Sequence, residues 1–100
     1  MRETYETIKR INSLDPASIA ERLCKLFEES GELAQAVNKT IGRKVANSEE
    51  DIRDLVIEEA ADTIQCVISL IDSYDISYDE LIDKLNQKNI KWERVVKNRK

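Results

Sequence analysis

The stretch from Ile52 to Ile71 constrains this chain more than any other. At about 100° per residue, its apolar positions cover most of a helical circumference: Ile52, Leu55, Val56, Ile57, Ala60, Ala61, Ile64, Val67, Ile68, Leu70 and Ile71. A helix that is apolar nearly all round must be buried nearly all round. One hundred residues make a single domain, here 1–100, and cannot bury such a helix with ease. The pattern predicts that this helix is central to an interface between copies of the chain. Yet Glu58-Glu59-Ala60-Ala61-Asp62 sits inside the same stretch, and Glu59 falls within the apolar arc.

The flanking segments read as helices too. A single Pro and two Gly argue against a chain of many turns. Tyr5, Ile8, Ile11 and Leu14 recur at three-residue steps, which predicts a helix from about Arg2 to Leu14. Asp15-Pro16 reads as cap and first residue of a second helix, running from Pro16 to about Ile41 with Gly42 as its C-terminal cap. Ile19, Leu23, Leu26, Leu33 and Val37 share one stripe of that helix. Glu29 and Glu32 lie on the adjoining one, and Glu28 points away. Ser48-Glu49-Glu50-Asp51 resembles a capping box and opens the third helix, from about Glu49 to Ser73. Ser77-Tyr78-Asp79-Glu80 is a capping box that opens a fourth, from about Tyr78 to Val96. Short connections predict that consecutive helices pack antiparallel. The expected fold is an all-α, antiparallel four-helix bundle-like domain that is homo-oligomeric, a dimer or a tetramer.

Glu29 and Glu32 stand three residues apart, and so do Glu59 and Asp62. Each pair shares a helix face, where like charges repel. Partial burial raises that cost unless a cation compensates it. All-oxygen donors suit Mg²⁺, with Mn²⁺ as a second option. The plainer readings are a solvated acidic face, or carboxylates held in ion pairs by Lys25 and the last helix. A di-iron centre normally needs Glu-x-x-His, and the chain has no histidine. For the same reason the usual zinc sites are not expected, and Cys24 and Cys66 read as buried free thiols.

Charge is segregated. Residues 84–100 carry seven positive charges against one negative, so +6, and the rest of the chain sums to −10 within the net charge of −4. An acidic body with a basic last helix is poor equipment for duplex DNA, and no nucleic-acid partner is expected. Lys84, Lys88 and Lys91 form one basic stripe with Asn89 beside it. Beside a metal site such lysines hold phosphate oxygens as point charges; elsewhere they are a solvated face. No apolar run is long enough for a membrane span and no signal peptide is apparent, so the cytoplasm is the expected location.

The segment Lys25-Leu26-Phe27-Glu28-Glu29-Ser30-Gly31-Glu32-Leu33, followed by Glu58-Glu59-Ala60-Ala61-Asp62 and later Lys88-Asn89, resembles the ExxE…ExxD and KN signature of MazG-like nucleoside triphosphate pyrophosphohydrolases. These belong to the all-α NTP pyrophosphatase superfamily. The likeness spans about residues 16–92, with 26 residues between Glu32 and Glu59. One departure is Trp92, where the family commonly has Arg or Lys. The resemblance implies that Glu29, Glu32, Glu59 and Asp62 coordinate Mg²⁺, and that Lys88 and Asn89 contact the triphosphate. It implies hydrolysis of a (deoxy)nucleoside triphosphate to monophosphate and pyrophosphate, with Glu29 or Glu32 orienting or deprotonating the water. Pocket walls are expected from Tyr5, Ile8 and Asn12 and from a neighbouring subunit. The competing expectation is a non-catalytic helical interaction module whose acidic residues only solvate it.

Overall fold

Four α-helices follow one another in the computed structural model, which describes residues 1–41 and 49–99: α1 (Arg2–Asn12), α2 (Ile19–Ile41), α3 (Glu49–Asp72) and α4 (Tyr78–Asn98). The described residues contain no strand, as the helical periodicity requires. The caps expected at Gly42 and Ser48 lie outside the described residues.

The start of α2 departs from expectation. Asp15 does not cap a helix at Pro16; its Oδ1 accepts from the Ala17 backbone N–H at 3.0 Å in a local turn. The helix begins three residues later, where Ser18 and Glu21 cap one another. The Glu21 N–H donates to Ser18 Oγ at 3.1 Å, and the Ser18 N–H donates to Glu21 Oε1 at 3.0 Å. This reciprocal box satisfies two free backbone donors, which an Asp-Pro start cannot do. The box at Ser77 and Glu80 forms as expected, with both bonds at 3.1 Å. Between α3 and α4 the chain reverses through Asp75, whose φ of 56° is left-handed, a conformation short polar side chains tolerate.

α2 and α3 pack along their length. Glu32 faces Glu59 and Arg22 faces Ser69, so the register runs antiparallel. The packed face of α2 is rotated from the stripe that hydrophobicity suggests. Arg22, Leu26, Glu29, Glu32, Leu33 and Ala36 are its buried or half-buried positions, all within an arc of about 120°. Ile19, Leu23 and Val37 remain exposed, and Phe27 is 70% exposed. The reason is steric: close packing on α3 selects the face with the small Ala36, and that face carries Glu29 into the contact at an electrostatic cost. Cys24 is exposed, against expectation, and Cys66 is half-buried; both thiols are free.

α1 lies against α3 and is held by polar contacts. Asn12, 8% exposed, donates from Nδ2 to the Ser69 carbonyl at 3.3 Å and to Asp72 Oδ2 at 2.9 Å. Its Oδ1 accepts from Arg22 and from the Ser69 hydroxyl. Arg22 also donates to the backbone carbonyls of Asp15 and Ala17 at 2.8 and 3.1 Å. One buried cluster therefore joins α1, the turn after it, α2 and α3.

α4 behaves differently. Among the described residues it packs against neither α2 nor α3 and meets only α1. Tyr5, fully buried, donates its hydroxyl to the Ile76 carbonyl at 2.7 Å and meets the Tyr78 ring edge-on at 5.5 Å. Arg2 lies 4.6 Å from the centroid of the Tyr78 ring and pairs with Asp79 at 2.6 Å. Beyond that anchor, residues 83–99 are all exposed, including Leu85, Ile90, Val95 and Val96, with Trp92 68% exposed. Consecutive helices therefore pack antiparallel at α2 and α3 but not at α3 and α4. The radius of gyration is 16.5 Å, against roughly 13 Å for a compact chain of this length.

Replacing Asn12 by Ala leaves Arg22, Ser69 and Asp72 short of a buried partner. We expect a loss of about 2 kcal/mol in urea unfolding, measured at one protein concentration. A loss below a few tenths would show that the cluster adds little to the fold.

Candidate metal and phosphate site

The packed face of α2 and the arc of α3 beneath it bring four carboxylates together. Glu29, Glu59 and Asp62 each place an oxygen within 4.8 Å of the others. Glu28, Glu29 and Glu32 form a second such group, so Glu29 belongs to both. Helical spacing explains the convergence. Residues three apart lie on one face, and the antiparallel register sets one face against the other. Glu28 is exposed yet reaches the edge of the cluster, which the helical phase alone does not suggest.

Electrostatically the arrangement is under-compensated. Glu29 is 7% exposed. Its Oε1 accepts an ion pair from Lys25 Nζ at 3.0 Å, while the same ammonium lies 3.6 Å from Glu28. Glu29 Oε2 and Glu59 Oε2 are both buried without a hydrogen-bond partner. Buried carboxylate oxygens are rarely left so, because desolvation costs several kcal/mol unless something replaces the lost water. The charge of Glu29, burial and the nearby Glu59 raise the Glu32 carboxyl from its ordinary 4.5 to about 6. Burial, then the Glu29 charge, push the Cys66 thiol up, so it borders the cluster as a neutral group.

The donor set fits a hard divalent cation. It is all oxygen, drawn from two rigid helices, with two unpartnered buried lone-pair groups. The plainer readings fare less well. A solvated acidic face does not bury Glu29, and among the described residues no cation from the last helix pairs with these carboxylates.

The basic stripe stands apart. Lys84, Lys88, Asn89 and Lys91 are exposed on α4, away from the carboxylate helices of the same chain. Lys84 Nζ donates to Gln87 at 3.3 Å on its own helix.

A cleft of about 630 Å³ lies between α1 and α3 and meets the cluster at Asp62, lined also by Thr4, Thr7, Ile8, Ile11, Ile64 and Gln65 among others. Asn12 borders a smaller neighbouring cleft. Of the expected walls, Ile8 lines the larger cleft, whereas Tyr5 is turned into the α1–α4 contact. Thr4, Thr7 and Gln65 were not foreseen. The signal was present, since Gln65 follows Asp62 by one helical step and Thr4, Ile8 and Ile11 share a face of α1.

Residues 2–89 match the family described as Phosphoribosyl-ATP pyrophosphohydrolase. The uncharacterized protein YpjD of Bacillus subtilis (strain 168) is 36% identical over 66 residues, which is 66% of this chain and 59% of that protein. The chain thus spans less than two thirds of that relative's length. No solved structure gives a significant match.

The raised Glu32 carboxyl carries a pH signature. Because its folded-state value lies above the unfolded one, its stabilising contribution is complete below about pH 4.5 and is lost as pH rises through about 6. In EDTA, the melting temperature of the wild type should therefore fall across that interval relative to Glu32→Gln. Coincident profiles for the two proteins would remove Glu32 from the cluster.

Proposed function

Since this chain belongs to the phosphoribosyl-ATP pyrophosphohydrolase family, and so to the all-α pyrophosphatases that its motifs resemble, we propose that it is a metal-dependent pyrophosphohydrolase of nucleoside triphosphates. The bond cleaved is the one between the α- and β-phosphates. A pyrophosphohydrolase-type activity follows from the family. The metal, the substrate and the residue roles are our reading. The observation that carries it is the pair of buried, unpartnered oxygens on Glu29 and Glu59 among four converging carboxylates.

In this reading Glu29, Glu32, Glu59 and Asp62 hold Mg²⁺ or Mn²⁺. When bound, such an ion neutralises phosphate oxygens and lowers the pKa of a coordinated water. Glu32, less buried than Glu29 and free of the Lys25 pair, takes the proton of the attacking water. The water oxygen bonds to phosphorus, the bridging P–O bond breaks, and pyrophosphate leaves. The cleft between α1 and α3 receives the nucleoside. Its apolar walls from Ile8, Ile11 and Ile64 would take the faces of a base, and Thr4, Thr7 and Gln65 its polar edges.

The positive side of the site comes from a second copy of the chain. Within one chain α4 is not laid over the carboxylates. Leu85, Trp92 and Val96 form an exposed apolar stripe on α4, and Leu23, Phe27 and Ile41 another on α2. A basic helix of one copy seated on the acidic body of another buries both stripes. It also brings Lys88 and Asn89, flanked by Lys84 and Lys91, toward the leaving pyrophosphate. Trp92 then serves as an interface anchor rather than a phosphate ligand.

Pyrophosphate release should be measured with Mg²⁺ and with EDTA on a panel of (deoxy)nucleoside triphosphates and phosphoribosyl-ATP. We expect Mg²⁺-dependent turnover of at least one, and a loss of about a hundredfold or more in Glu59→Gln and Asp62→Asn. Undiminished activity in either variant would refute the site. Light scattering should give a dimer or larger for the wild type, and a smaller species for a Leu85→Glu, Trp92→Glu double variant.

A further inference from the structure

Lys25 is set one helical turn before Glu29, and its ammonium already occupies a place at the edge of the carboxylate cluster. The Nζ lies 3.0 Å from Glu29 Oε1 and 3.6 Å from Glu28 Oε1. Among the described residues it is the one cation within ion-pair distance of the four cluster carboxylates and Glu28. The two ends of this ion pair differ sharply in burial. The Glu29 side chain is 9% exposed, whereas that of Lys25 is 56% exposed. The carboxylate is fixed and the ammonium is on a flexible stem that water reaches. Two clefts flank that stem, one of about 240 Å³ reaching Gln65 and Cys66, the other of about 300 Å³ reaching Glu21 and Arg22. The lysine therefore has room to leave.

Glu29 is also the residue that both carboxylate groups share. Either group would draw an ion onto Glu29, and one of its two oxygens is engaged by Lys25. A monovalent ammonium and a divalent cation compete for that oxygen. They also repel one another across a few ångströms of partly dehydrated protein.

We propose that Lys25 is a built-in, exchangeable counter-ion of the carboxylate cluster. It holds Glu29 in place in the metal-free protein, yields Glu29 Oε1 to the incoming divalent ion, and so sets how much metal the site requires. It is a positioning residue that limits metal affinity, and it does not act on substrate. This inference rests on the metal reading above.

The test is isothermal titration of the metal-free full chain with Mn²⁺, comparing the wild type with Lys25→Met and Lys25→Arg. Lys25→Met should bind Mn²⁺ about tenfold more tightly, the scale of one like charge removed next to a partly solvated site. Lys25→Arg, which keeps the charge, should stay within about twofold of the wild type. In EDTA, Lys25→Met should melt below the wild type, and saturating Mn²⁺ should raise its melting temperature by more than it raises that of the wild type. A lysine that only braced the helix would leave Lys25→Met with equal or weaker Mn²⁺ affinity, and that result overturns the inference while sparing the metal site. Absence of Mn²⁺ binding in all three proteins overturns the metal site and the inference with it. Circular dichroism of each variant confirms the helical fold.

Discussion

The repulsion among four carboxylates on the packed faces of α2 and α3 is the constraint from which the rest of this structure follows. Two helices that meet through Ala36, Leu26 and Leu33 on one side and Ile52 and Leu55 on the other would need no charge between them. Here Glu29 takes a buried position within that face. The unfavourable consequences are visible in two unpartnered oxygens and in a Glu32 carboxyl shifted toward neutrality. A lone lysine offsets part of the charge. Proteins tolerate such a concentration where a ligand relieves it, which is why perturbed carboxylates point to a functional site.

Rigidity around the cluster comes from elsewhere. The Asn12 and Arg22 contacts fix α1 against α3 through directional bonds, so the cleft between them keeps its shape beside Asp62. The hydrophobic contribution within a single chain is modest, because so much apolar surface stays uncovered. Phe27 on α2, Ile57 on α3 and Trp92 on α4 are all more than half exposed. At roughly 25 cal/mol per Å², covering several such side chains contributes more than most single polar contacts. The uncovered apolar surfaces lie on the helices that carry the carboxylates and the lysines, so in the proposed dimer association and the site would be linked.

The four helices were legible because their signals are local. Periodic apolar residues, the Ser77 box and the scarcity of Gly and Pro each act within one or two turns. The Ser18-x-x-Glu21 box was equally local, and was hidden by the more conspicuous Asp15-Pro16. What could not be read was the rotation of α2. Ile19, Leu23 and Val37 are as apolar as any core stripe, and nothing in the one-dimensional pattern says that this stripe faces outward. Close packing on α3 made that choice, with the small Ala36 at the contact.

The sequence by itself determined the helices, the three-residue spacing of each carboxylate pair and the concentration of positive charge in the last helix, since each is a property of neighbouring residues. The tertiary structure alone decided which glutamate is buried, that Lys25 rather than the last helix answers it, and that α4 stands away from the body. Those outcomes depend on how two helical surfaces fit and on which charges that fit dehydrates, and neither is encoded in any single stretch of chain.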